Sequence, residues 1–537
     1  MMSTGKLKLV VFGIDSADWR IMQPYLDAGD LPNLAEILER GSQAALRSTI
    51  PPITAVAWPT AFTGTNPGKH GLFGFVLMGK RPGLLSNADR QRPALWELLS
   101  RAGVRVGSFL VPFTFPPDPV NGWMLCGTGG GQSWDERGVQ PVSLYDELAP
   151  ILRRYPEELA TASPKREPEV LLQAWRRLSD WRAALLGHLL ERHPVQVLMA
   201  VDNAVDVLQH KFLASRELAD EPDMVRWAYR HADRMLGLIR EHTDADTRFL
   251  LLSDHGAQPL EGYLDLSAWL CQAGYLRYRT AGNGAGLRRV ALRLGSRVWR
   301  RVVRKRGASR LLSAAHALKL SQLVDWAHTR AFAWPGGGII VNAPDRSPLA
   351  TVRAEERGSL AREIAEGIGK VTNPFTGRQD LQAYLREELY EGPFVENAPD
   401  VVVVPQDFAL DVISTAPRSD RVFWTAQDLR EAGLGDLVVR EGTHRREGIL
   451  AVAAGGEVRL PPVTDLAAIA PTALSLLGLP IPAGMDGQSL VGGQYADEPS
   501  GVTRQRAGSA GRSAGGAVYT EEEEEELARR LADLGYL

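Results

Sequence analysis

Three carboxylates, three imidazoles and one hydroxyl lie in five separate short stretches of this chain: Asp15, Thr54, Asp206 with His210, Asp254 with His255, and His444. Such a set suits two divalent metal ions and a nucleophile, the equipment of a two-metal hydrolase, and ordinary fold stability asks for none of it. In Asp206-Val-Leu-Gln-His210 the spacing of four puts both groups on one face of a helical turn, where they can share a metal or simply form a surface pair. Asp254 and His255 follow the apolar run RFLLL. An acid and an imidazole at a buried strand's end are costly to desolvate unless a metal or another partner compensates them. A hydrogen-bonded strand-end turn is the alternative. His444 would by default be an exposed loop histidine. Thr54, after Pro51 and Pro52, would by default be a turn or cap residue. The turn-forming run from Thr63 to Gly71 points instead to an ordered functional loop.

The elements that must hold these groups are visible as continuous apolar runs: Leu9 to Phe12, Val104 to Val111, Val195 to Val201, Phe249 to Leu252, Val401 to Val404 and Ile449 to Ala453. Strands apolar on both faces belong in a parallel sheet covered by helices. Helical patterns alternate with them at Asn33 to Arg40, Pro93 to Ala102, Val170 to Glu191 and Met224 to Arg240. The expectation is an α/β fold with a doubly wound, mostly parallel sheet flanked by helices and carrying inserted cap segments. Ligands bind such sheets beyond the carboxyl ends of the strands. Asp15 and Asp254 stand there, and Asp206 lies a few residues past a third strand.

At 537 residues the chain is long enough for one large domain with insertions or for two domains. A net charge of -3 argues against a dedicated nucleic-acid binder. The only cysteines, Cys126 and Cys271, are far apart, so a reducing compartment is expected. The first apolar run is too short for a signal peptide, and no run is long enough to span a membrane. A cytoplasmic location follows as the expectation, with peripheral membrane contact as an option. That option comes from residues 287–306, where an apolar stripe and crowded arginines predict a basic amphipathic helix. Packing as a cap on the main domain is the preferred reading of it. The boundaries read as a discontinuous core (7–276 and 331–492), the insert (277–330), a flexible linker (493–518) and a C-terminal helix (519–537). Leu527, Leu531 and Leu534 give that helix a short apolar stripe, which should dock on this domain or on another subunit. The oligomeric state is not legible.

Taken in order, these motifs resemble the alkaline phosphatase superfamily, and within it the type I phosphodiesterase/nucleotide pyrophosphatase family. The resemblance rests on Asp15 after a strand, Thr54 nine residues before Thr63-Gly64, then Pro67 and His70-Gly71, Asp206 with His210, Asp254-His255-Gly256, and Gly442-Thr-His444. It implies that Asp15, Thr54, Asp254 and His255 hold one metal and that Asp206, His210 and His444 hold the other. Zinc is the implied ion, with manganese as the alternative. It also implies phosphodiester or pyrophosphate hydrolysis through a phosphothreonine on Thr54. A phosphomonoesterase or phosphomutase is the runner-up, and a non-catalytic adaptor the third reading. One position departs from the family: an Asn that binds the substrate phosphoryl is replaced by Phe75. Lys69, Arg445 and Arg446 are the candidates to supply charge in its place, with a solvent-facing position near the site as the preferred reading of each.

Overall fold

The run beginning at Leu9 becomes the strand Leu9–Ile14 in the middle of a nine-stranded sheet, with Val10, Phe12 and Ile14 in one apolar cluster and Leu9 and Val11 in another. A strand buried on both faces cannot alternate polar and apolar residues, and that is why it reads as continuous. The computed structural model describes residues 6–77, 83–127, 135–155, 168–215, 223–279, 323–347, 349–413, 419–434, 440–456 and 458–497, together with 518, 519, 523 and 527. The basic segment 287–306 lies outside the described residues, as do most of the linker 493–518 and most of the helix 519–537.

Across the sheet the strands run Val463–Asp465, Ser42–Arg47, Glu447–Ala453, Arg248–Leu252, Leu9–Ile14, Val197–Asp202, Val106–Phe109, Gly122–Leu125 and Val139–Gln140. The five from Arg248–Leu252 to Gly122–Leu125 are mutually parallel. One face is covered by helices Trp19–Asp27, Pro32–Glu39, Pro168–Arg192, Ala204–Phe212 and Met224–Arg240. The other is covered by Thr54–Thr63, Leu95–Arg101 and Ile469–Leu476. This is the mostly parallel, doubly wound α/β sheet that the motif order requires.

Two strands depart from the parallel expectation. Glu447–Ala453 enters the sheet antiparallel to both neighbours. Val401–Pro405 belongs to a different, four-stranded antiparallel sheet with Ala331–Trp334, Gly338–Val341 and Leu381–Leu385, backed by the helix Arg357–Gly369. Both strands are buried on two faces. Ile449 and Ala451 pack on one cluster and Leu450 and Val452 on the other, while Val401 and Val403 pack away from Val402. Double burial produces the same apolar run whichever way the strand points, so composition could not report the direction.

The described part of the C-terminus docks on this chain. Tyr519 is buried and stacks on Phe115, with ring centroids 5.6 Å apart. Glu523 accepts from Arg137 Nη1 at 3.2 Å. Leu527 joins an apolar cluster with Ala55, Leu72, Phe75, Phe113 and Cys126. Among the described residues no helix is long and apolar enough to cross a membrane.

Candidate active site

Asp15, Asp254 and His255 stand just past strands of the main sheet, and the other chemistry-bearing groups come from helices and a short ladder beside it. Leu9–Ile14 delivers Asp15, and Arg248–Leu252 delivers Asp254 and His255. Val197–Asp202 leads into the helix Ala204–Phe212, which carries Asp206 and His210 one turn apart. His444 is not on an exposed loop. The strand Gly442–Arg445 pairs with Gly256–Pro259 so that His444 lies opposite Ala257, and this ladder stacks its ring on that of His255 at 3.9 Å between centroids. Thr54 opens the helix Thr54–Thr63. One turn along the same face, the Trp58 indole N–H donates to Asp15 Oδ2 at 3.1 Å, which holds the threonine end of the helix beside the first carboxylate.

That contact depends on Gly13. A Cβ there would stand 2.3 Å from Trp58 Cη2 and 2.9 Å from Val201 Cγ2, both in packed surroundings. Gly13→Ala is therefore expected to cost about 1–3 kcal/mol of stability and to displace the indole from Asp15. Thermal unfolding with metal analysis of the purified variant checks both effects.

The six acidic and imidazole side chains converge in a buried cluster. His255 Nε2 lies 3.2 Å from Asp254 Oδ2 and 3.8 Å from Asp15 Oδ1. His210 Nε2 lies 3.3 Å from Asp206 Oδ1 and 3.0 Å from His444 Nε2. His444 Nε2 is 3.6 Å from the same Asp206 oxygen. Two overlapping triads have ligand atoms close enough for one ion each: Asp15, Asp254 and His255, and Asp206, His255 and His444. His255 belongs to both, and His210 flanks the second.

The residues fit metal ions on three counts. Asp15 Oδ1, Asp254 Oδ2 and His255 Nε2 are buried and make no hydrogen bond, which is costly unless a cation completes them. The Nδ1 atoms of His210 and His255 lie 2.9 Å and 3.2 Å from the carbonyls of Gly442 and Gly256. Protonated there, each ring turns a lone pair at Nε2 toward the carboxylates, the arrangement that metal-binding imidazoles use. The charge state of the cluster agrees. Burial and then the neighbouring Asp254 raise Asp15 well above the usual carboxylate range, and burial pushes Asp254 up to about 7. Burial also works to raise Asp206, but His210 and His444 hold it well below the ordinary value. Burial, with His255 adding to it, pushes His444 down to about 3, and burial lowers His255. Three crowded carboxylates, with two imidazoles lowered by burial, form a site in want of positive charge.

The residues expected at the substrate are placed differently. Lys69 Nζ pairs with Asp486 and approaches the Gly484 carbonyl at 3.4 Å. Arg445 pairs with Glu447 at 2.9 Å and Asp18 at 3.6 Å. Both side chains thus have carboxylate partners in this structure. Phe75 is packed against Phe113, 6.0 Å between centroids, in the cluster that includes Ala55. It offers an apolar ring and no side-chain hydrogen-bond donor. Trp58, Ser16 and Gln209 also shape the site, and their residue types gave no sign of it.

A family model described as type I phosphodiesterase/nucleotide pyrophosphatase matches residues 9–410. The chain belongs to that family. It is accordingly a hydrolase of phosphoester bonds in a metal-dependent family that acts on phosphate-ester or nucleotide substrates. His444 lies beyond the matched residues, so its membership of the site rests on geometry. Among solved structures, phosphonoacetate hydrolase from Sinorhizobium meliloti 1021 in complex with phosphonoformate is 15% identical, with a TM-score of 0.53 over 85% of this chain and 92% of that one. Human ectonucleotide pyrophosphatase/phosphodiesterase 5 is 11% identical, with a TM-score of 0.48 over 90% and 97%. An inactive murine form of the latter enzyme in complex with AMP is 11% identical, with a TM-score of 0.47 over 88% and 96%. The hydrolase likeness is one of fold. A search of curated proteins gives no match.

Proposed function

We propose that this member of the phosphodiesterase family is a two-metal phosphohydrolase that cleaves a phosphodiester or pyrophosphate through a phosphothreonine on Thr54. The observation that carries this reading is the buried convergence of Asp15, Asp254, His255, Asp206, His210 and His444, with ligand atoms of the first three making no hydrogen bond, next to the helix that Thr54 opens. Bound ions would lower the pKa of the Thr54 hydroxyl and of a water, and offset charge on the phosphoryl oxygens. Asp15, Asp254 and His255 would hold one and Asp206, His210 and His444 the other, with zinc favoured by the three imidazoles. Thr54 Oγ1 then attacks phosphorus in line, its proton is lost, and the bond to the leaving oxygen breaks. Water hydrolyses the phosphothreonine and restores the hydroxyl.

Metal analysis of the purified protein, followed by turnover of bis-p-nitrophenyl phosphate and p-nitrophenyl phosphate, tests the reading. Bound metal with faster diester turnover supports it. Faster monoester turnover overturns the diester preference, and a metal-free, inactive protein overturns the enzyme.

Arg446 supports the substrate side. Its Nη2 donates to the Ser48 carbonyl at 3.2 Å, its Nε makes no hydrogen bond, and among the described residues it forms no ion pair. It precedes the antiparallel strand Glu447–Ala453, so it stands at the sheet edge where Asp15 and Asp254 emerge. Arg446→Ala is expected to raise KM for bis-p-nitrophenyl phosphate about tenfold with little change in kcat, the effect of losing one charged hydrogen bond. Steady-state kinetics read this directly.

A further inference from the structure

Between Asp206 and His210 on the helix Ala204–Phe212 stands Gln209, whose buried side chain reaches toward the opposite half of the cluster. Its Nε2 donates to the Ser16 carbonyl at 2.8 Å. Its Oε1 accepts from the Tyr229 hydroxyl at 3.4 Å, and that hydroxyl accepts the Asp18 N–H at 3.2 Å. Ser16 is the residue after Asp15, and its own N–H donates to Asp254 Oδ1 at 3.3 Å. One peptide segment is thus gripped on its carbonyl side by the helix that carries Asp206 and His210, and on its amide side by Asp254.

Ser16 also has φ 65°, in the left-handed region that a non-glycine residue occupies only when its surroundings hold it there. The direction in which Asp15 leaves its strand depends on this turn. We propose that Gln209 is a positioning residue that couples the two ligand groups: by clamping Ser16 in its left-handed turn it sets Asp15 and Asp254 for their ion, although its own helix supplies ligands to the other ion. The inference rests on the two-metal reading and goes beyond it. A group that touches no ion decides how well one of them binds, and the two sites communicate through the Ser16 peptide.

Replacing the amide by an apolar side chain leaves the Ser16 carbonyl buried without its donor and frees the turn to relax. The helix keeps Asp206 and His210, and the Gly442 carbonyl that faces His210 Nδ1 stands apart from the Gln209 side-chain amide, which bonds Ser16 and Tyr229. Outer residues that orient metal ligands commonly contribute a factor of roughly 10–100 to affinity. The loss should fall on the ion held by Asp15 and Asp254.

The test is a zinc titration of chelator-stripped full-length protein by calorimetry, for the wild type, Gln209→Leu, Gln209→Met, Ser16→Gly and Ser16→Gly with Gln209→Leu. Wild type should take two ions. Gln209→Leu should bind one of them about 10–100-fold more weakly and the other within about threefold. In the Ser16→Gly background the same replacement should matter far less, because glycine keeps a positive φ without a clamp. Gln209→Met, close in size and shape, serves if the leucine variant does not fold. Two ions bound with unchanged affinity in the folded Gln209 variant, an equal weakening of both, or a full loss persisting in the Ser16→Gly background would overturn the coupling role. A wild type that takes no zinc would remove the two-metal reading itself and the inference with it.

Discussion

Thr54→Ala is expected to abolish turnover of bis-p-nitrophenyl phosphate, a loss of roughly 10⁴-fold or more, while the protein still folds and holds metal. The size of the effect follows from what is removed. Without the hydroxyl there is no atom to accept the phosphoryl group, and the remaining side chains position and neutralise but cannot form the intermediate. The fold should tolerate the change, because Thr54 is the first residue of its helix and alanine suits that position. On the proposed two-metal reading six other side chains would hold the ions, so metal content should change little. Thr54→Ser, which keeps a hydroxyl, should retain much of the rate. An acid-quenched reaction of the wild type should carry one phosphoryl group on the peptide containing Thr54. A Thr54→Ala protein with undiminished turnover would show that another nucleophile does the work.

Metal binding is expected to strengthen steeply between pH 5 and pH 7 and then level off. Asp254 is held up at about 7, so in the metal-free protein it carries a proton at pH 5 that an ion must displace, and burial raises Asp15 in the same direction. Each displaced proton is worth about tenfold in affinity per pH unit. His255 and His444 lie below their ordinary value and have no proton to lose near neutrality. Stability carries the matching sign. A carboxyl whose folded pKa is raised contributes stability that is intact at low pH and is lost as the pH rises through the folded value, here about 7 for Asp254. The depressed imidazoles act oppositely, but only below about pH 6.5. The stripped protein should therefore melt lower at pH 8 than at pH 6.5, and the loaded protein should not. Scanning calorimetry of both forms at the two pH values decides it: a stabilisation by metal no larger at pH 8 would contradict the assignment.

Much of this site was legible because its chemistry is carried by residues that have few other reasons to sit together. Asp15 and Asp254 were readable from the apolar strands before them, and Asp206 with His210 from helical spacing. His444 was not readable alone. Its placement comes from a ladder between Gly442–Arg445 and Gly256–Pro259, and pairing across such a distance in sequence leaves no local signature. The direction of Val401–Pro405 was hidden for a related reason, since burial on both faces erases the alternation that marks antiparallel strands. The charges of Lys69 and Arg445 were legible, and so was Glu447 two residues from Arg445, but Asp486 and Asp18 are brought near them only by the fold. Trp58 meets the cluster through one hydrogen bond to Asp15, and Gln209 meets its surroundings through two, with Ser16 and Tyr229, contacts that their residue types also make in countless cores.

The antiparallel strand Glu447–Ala453 has a consequence for how the molecule is made. It is wedged between Ser42–Arg47 and Arg248–Leu252, so it separates two strands that leave the ribosome long before it. At about 5–20 residues per second, Arg248–Leu252 waits on the order of 10–40 s for its partner, with backbone donors and acceptors open along one side. His444 arrives just ahead of that strand, so the last imidazole ligand and the closing of the sheet come in the same stretch of synthesis. A nascent chain stalled before residue 440 would carry most of the ligands and an unpaired sheet edge, which makes it a candidate for chaperone capture and not yet an enzyme.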